Sequence, residues 1–114
     1  MKDNRTYLLH VLDALAQLET YALEGREHFL SDRRTQEAVI RNFEVAGEAV
    51  KNLSPEFRGE HREVPWKSIA GTRDKLVHEY FGVNLLLLWD LLESEVRPLR
   101  HAVEAILADL VESP

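Results

Sequence analysis

Four residues within one short stretch carry groups that can move protons or meet an anion: Arg73, Asp74, His78 and Tyr80. Histidine can both give and take a proton near neutral pH. Arginine presents a planar fork of donors that suits phosphate or carboxylate oxygens. Asp74 stands four residues before His78, where a carboxylate fixes the imidazole tautomer and favours its charged form. The chemistry open to this set is proton transfer beside a stabilised negative charge. Read as a helix, the stretch also contains an anomaly. Trp66, Ile69, Ala70, Arg73, Leu76, Val77 and Tyr80 recur at three- and four-residue spacing, so an arginine sits inside an apolar stripe. Something anionic must meet that guanidinium, whether from this chain, a partner or a ligand. Arg73 and His78 lie about 140° apart on a straight helix. To act together they need the helix to end near His78, or a second copy of the chain.

The elements that must position these residues read as helices throughout, since no stretch alternates with period two. Leu8, Val11, Leu12, Leu15, Leu18 and Ala22 predict a first helix over about 5–23, ended by Gly25. Residues 26–34 read as a loop, with Ser31 or Asp32 starting the next helix and Arg33-Arg34 on its solvated first turn. Val39, Phe43, Ala46, Val50 and Leu53 predict a second helix over about 35–53. Inside it Gly47 costs about 1 kcal/mol relative to alanine, which a close helix crossing there explains. Glu44 and Glu48 form either a solvated acidic face or, with Asn42, the candidates to hold Arg73. Residues 54–64 read as a polar loop whose Arg58, His61 and Arg62 could touch phosphates or simply face water. Pro65 suits the first turn of a third helix that reaches His78 or Tyr80. Asn84 caps a fourth, apolar nearly all round from Leu85 to Leu92, so it is either central or part of a subunit interface. Pro98 breaks it and starts a last helix. The expectation is a single domain over 1–114, an all-α antiparallel bundle of four to five helices.

With 114 residues, 45% hydrophobic and 30% charged, the chain can bury one core. It has no cysteine, which excludes disulfides and fits a cytoplasmic home. No apolar run approaches a membrane span of roughly 18 residues, and the first residues do not read as a signal peptide. A net charge of −6 argues against general nucleic-acid binding, so any RNA contact is local. His10, His28, His61, His78 and His101 show no metal-ligand spacing, and no phosphate loop or activated serine is evident, so neither metal nor cofactor is expected.

The pattern R-x4-H-x-Y formed by Arg73, His78 and Tyr80 resembles the signature of HepT-like HEPN-domain ribonucleases. The segments 41–49, 65–71 and 80–84 resemble that family's second-helix block, third-helix start and following exit, in the same order. The resemblance implies a HEPN-like bundle and a metal-independent endoribonuclease with Arg73 and His78 as catalytic residues. It places Asp74 in a supporting position and brings two motifs together across a homodimer axis. It further implies a toxin neutralised by a minimal nucleotidyltransferase antitoxin, which adds AMP to Tyr80. From spacing alone Tyr80 reads instead as a core aromatic. The alternative function is a non-catalytic nucleotide- or partner-binding module for that nucleotidyltransferase, with Arg73 holding phosphate.

Overall fold

The computed structural model describes residues 3–78 and 82–112, without the side chains of residues 77, 78, 111 and 112. Helix α1 (Asn4–Leu23) starts on Asp3, whose carboxylate accepts from the Arg5 amide at 3.0 Å. Leu8, Val11, Ala14, Leu15 and Leu18 line its buried face. Gly25 ends the run as expected: its φ of +97° is a conformation that side chains with a Cβ rarely adopt.

That turn leads into α2 (Arg26–Ser31), a short helix in a segment whose sequence reads as loop. Its anchor is Phe29, fully buried with its ring centroid 5.7 Å from that of Trp89. One anchor in six residues carries no periodicity, so tertiary packing makes this helix visible and spacing does not. The same correction applies to α4 (Pro55–Glu60). Ser54 and Pro55 stop the preceding helix as read, but they also start a new one. The Ser54 hydroxyl accepts from the Phe57 amide at 3.1 Å, and Phe57 inserts into the core.

The long helix α3 (Arg33–Asn52) buries Val39, Phe43, Ala46, Gly47, Ala49 and Val50. It runs antiparallel to α1, because Asn4 at the start of α1 bonds Ser54 just past the end of α3. The Asn4 amide donates to Ser54 Oγ at 3.2 Å, and the Ser54 backbone N–H donates to Asn4 Oδ1 at 2.9 Å. Helix α5 (Trp66–His78) lies against α3, its first turn fixed by the Trp66 indole donating to the His61 carbonyl at 2.9 Å.

Asn84 caps α6 (Leu85–Ser94), accepting from the Leu87 amide at 3.1 Å. The chain breaks at Glu95, three residues earlier than Pro98 suggests, and α7 (Val96–Glu112) follows. Pro98 sits inside its first turn, where the missing N–H has no helical partner to lose. Helix α7 is antiparallel to α1, tied to it by the Arg100–Glu19 ion pair. Helix α6 buries Leu88, Trp89 and Leu92 but leaves Leu86 and Leu87 54% and 44% exposed. It is therefore a flank of the bundle and not its centre. Five long helices and two short ones share one apolar core, an all-α bundle with no strand among the described residues.

Candidate active site

Arg73 resolves its own anomaly through Gly47. A Cβ built on Gly47 would lie 2.1 Å from Arg73 Cβ and 2.9 Å from Arg73 Cγ. The arginine stem thus occupies the space a side chain on α3 would fill, and α3 and α5 touch at that point. The stem lies on the apolar crossing while the guanidinium reaches the rim, an arrangement long cationic side chains favour. The close crossing expected at Gly47 is present, and the residue that needs it is Arg73.

Two carboxylates meet the guanidinium. Arg73 Nη2 is 3.1 Å from Glu48 Oε2, and Arg73 Nη1 donates to Asp74 Oδ1 at 3.0 Å. Of the three candidates on α3, Glu48 is the one that holds Arg73; the Asn42 amide instead donates to the Ala38 carbonyl at 2.9 Å. Asp74 also pairs with Lys51, one turn beyond Gly47 on α3. Glu48, Arg73, Asp74 and Lys51 therefore alternate in sign across the α3–α5 crossing. The Lys51 ammonium first, and the Arg73 guanidinium second, hold the Asp74 carboxyl below the ordinary carboxylate value. With its side chain 28% exposed, Arg73 is oriented by this chain of charges and still reaches solvent. One of its N–H groups donates to Asp74, and a second nitrogen lies in ion-pair range of Glu48.

The guanidinium lines a groove of about 450 Å³. Its floor is the α3 stripe Arg41, Glu44, Val45, Glu48 and Asn52, and Tyr7 and His10 of α1 form the far wall. Lys51, Tyr7, His10 and Arg41 had no signal in the sequence as site residues. Only Lys51 could have been found, since it lies four residues from the glycine that marks the crossing. Arg58 and Arg62 line a separate groove with Lys67, and Arg33 pairs with Glu37 on an exposed helix start. Helix α5 carries the backbone of His78, while the His78 side chain and all of Tyr80 lie outside the described residues. Among the described residues no group of three or more His, Cys, Asp or Glu side chains could hold a metal ion. None of their helices is long and apolar enough to cross a membrane.

A helical bundle with no strand among the described residues, with an arginine of the R-x4-H pattern held over a groove, is consistent with a HEPN-type helical domain. The family model described as "Ribonuclease HepT-like" matches residues 11–106. The chain belongs to the HepT-like ribonuclease family, whose activity class is endoribonuclease. Among relatives, a candidate RNase of Caldanaerobacter subterraneus subsp. tengcongensis is 46% identical over 108 residues, covering 94% of this chain and 96% of that protein. A candidate RNase of Methanocaldococcus jannaschii is 40% identical over 110 residues, covering 96% and 91%. A candidate ribonuclease HepT of Thermococcus cleftensis is 38% identical over 106 residues, covering 92% and 96%. No solved structure matches the chain.

Proposed function

We propose that this protein is the toxin of a toxin–antitoxin pair, a cytoplasmic endoribonuclease that cuts RNA without a metal by acid–base attack of the 2′-hydroxyl. The observation that carries the reading is Arg73, set into an apolar stripe at the cost of a glycine opposite it and oriented by Glu48 and Asp74 toward a groove. In the step envisaged, a bond forms between O2′ and phosphorus while the bond from phosphorus to O5′ breaks. The 2′-hydroxyl proton passes to one His78 imidazole acting as base. The leaving O5′ takes a proton from an acid, the His78 of a second copy. Arg73 stabilises the extra negative charge on the phosphoryl oxygens. Asp74 acts through Arg73, holding it in place.

Arg73 and His78 lie about 140° apart on a straight helix, and a second copy would bring both groups to one cleft, so we propose a homodimer. Support comes from α6, where Leu86 and Leu87 are exposed side by side. Beside them an apolar groove of about 480 Å³ runs between α5 and α6, lined by Leu76, Val83, Leu87, Leu88 and Leu91 among others. The proposed off-switch is AMP added to Tyr80 by a minimal nucleotidyltransferase. Tyr80 follows Arg73 by seven residues, so a phosphate attached there would compete with RNA for the guanidinium.

The test is cleavage of RNA by the purified protein in EDTA. His78→Ala should lower the rate by about 10²- to 10⁴-fold, the range for loss of a general acid–base group. Cleavage that needs added Mg²⁺, or that survives His78→Ala unchanged, would reject the mechanism. Absence of any cleavage, with Arg73-dependent binding of a nucleotide or of the nucleotidyltransferase, would favour the non-catalytic module.

A further inference from the structure

We infer that the groove beside Arg73 binds one unpaired RNA base, stacked on His10; this rests on the ribonuclease reading above. The lining residues explain why a base, and not more backbone, is the natural occupant. Arg41 and Arg73 are offset by Glu44 and Glu48, so the groove is neutral in a chain of net charge −6. A track for successive phosphates needs unopposed cations. A nucleobase needs an aromatic face and a few groups that meet the donors and acceptors on its edge.

The groove supplies both. The His10 ring is exposed, and it packs against Tyr7 with centroids 6.1 Å apart and planes at 87°. This edge-on contact sets the orientation of His10 without covering it by a parallel ring. On the floor, Glu44 can accept from base N–H groups, while Asn52 spends its amide on the Glu48 carbonyl at 3.0 Å and keeps its own oxygen as an acceptor. The volume of about 450 Å³ lies within the roughly 300–1,000 Å³ of small-molecule sites. Arg73 lines the same space, so a base lodged there would bring its neighbouring phosphate to the guanidinium. A paired base has its edge occupied and both faces stacked, so it cannot enter. The groove would thus make cleavage selective for unpaired nucleotides.

The experiment measures binding in a His78→Ala background, which keeps the RNA intact. A short fluorescent single strand, and the same strand annealed to its complement, are titrated by anisotropy against the parent, His10→Ala and His10→Phe. His10 is exposed on α1, and circular dichroism checks that each variant keeps its helices. The single strand should bind more tightly than the duplex. His10→Ala should weaken single-strand binding roughly 5- to 150-fold, the range that loss of one base–aromatic stack spans. His10→Phe should restore it, because a ring suffices for stacking but cannot transfer a proton. Equal binding of strand and duplex, no loss in His10→Ala, or failure of His10→Phe to rescue each overturns the assignment. If the wild-type protein still cuts RNA in those cases, only the groove's role falls; if no RNA is bound or cut, the ribonuclease reading falls with it.

Discussion

Replacing Gly47 by alanine displaces Arg73 without removing any group that does chemistry. The added carbon would stand 2.1 Å from Arg73 Cβ, 2.9 Å from Arg73 Cγ and 3.1 Å from the Ile69 carbonyl oxygen. These are the root of a side chain and a piece of backbone, so no rotamer change relieves the clash. Ordinary carbon–carbon contact lies at about 3.5–4.0 Å, so the α3–α5 crossing must open by roughly 1.5 Å. Overpacking of this kind costs about 1–3 kcal/mol, offset by the gain of about 1 kcal/mol when alanine replaces glycine in a helix. The net loss of stability is therefore about 0–2 kcal/mol, which leaves a folded protein. The catalytic loss should be disproportionate, because a displacement of about 1 Å in a positioned group can cost about 10²-fold. Gly59→Ala is the control: nothing lies within 4 Å of the added carbon, so it should leave the cleavage rate unchanged. Urea denaturation followed by circular dichroism gives the stability term, and initial rates on a labelled RNA give the other. A Gly47→Ala protein as active as wild type, with unchanged or higher stability, would refute the account of how Arg73 is seated.

Acid should weaken the fold in a defined direction. Glu19 is depressed first by its hydrogen bond from Arg100, and Asp74 first by Lys51. Such groups contribute stability above their unfolded pKa of about 3.9–4.3 and lose it as pH falls through the lower folded value. The urea midpoint should thus hold steady near neutrality and drop below about pH 4, less steeply in Glu19→Gln; a midpoint that rises toward acid would contradict the pairing. Light scattering should give a dimer, and Leu87→Glu on the exposed face of α6 should yield monomers without cleavage activity; a monomeric, active wild type would remove the two-copy site. Incubation with the nucleotidyltransferase and ATP should add the mass of AMP to wild type and not to Tyr80→Phe, read by intact mass and peptide mapping; modification at another residue would reject the switch.

Much of this arrangement is legible in the chain because helical periodicity is long-lived. The stripes on α1, α3 and α5 repeat over several turns, and the cap at Asn84 and the helix start at Pro65 follow local rules. Gly47 is the most informative single residue: a glycine at mid-helix predicts a close crossing, and the crossing is there. Short elements escaped, since Phe29 and Phe57 each anchor one six-residue helix and a lone aromatic has no period. The wall of the groove escaped for a different reason. Tyr7 and His10 share a groove with Arg73 because α1 and α5 both pack on α3, and no spacing within one helix encodes that juxtaposition. Lys51 lies between these cases, one turn from Gly47 but meaningful only once α5 is known to cross there.

The most direct test of the central claim, 2′-hydroxyl attack assisted by Arg73 and His78, is the chemistry of the ends produced in EDTA. An RNA cut by this route leaves a 2′,3′-cyclic phosphate on one fragment and a 5′-hydroxyl on the other. A single deoxynucleotide placed 5′ of the cut should block that site and no other, and Arg73→Ala should slow cleavage at the unblocked sites by about 10²-fold or more. Fragments bearing a 5′-phosphate, or cleavage that proceeds through the deoxy position, would contradict it.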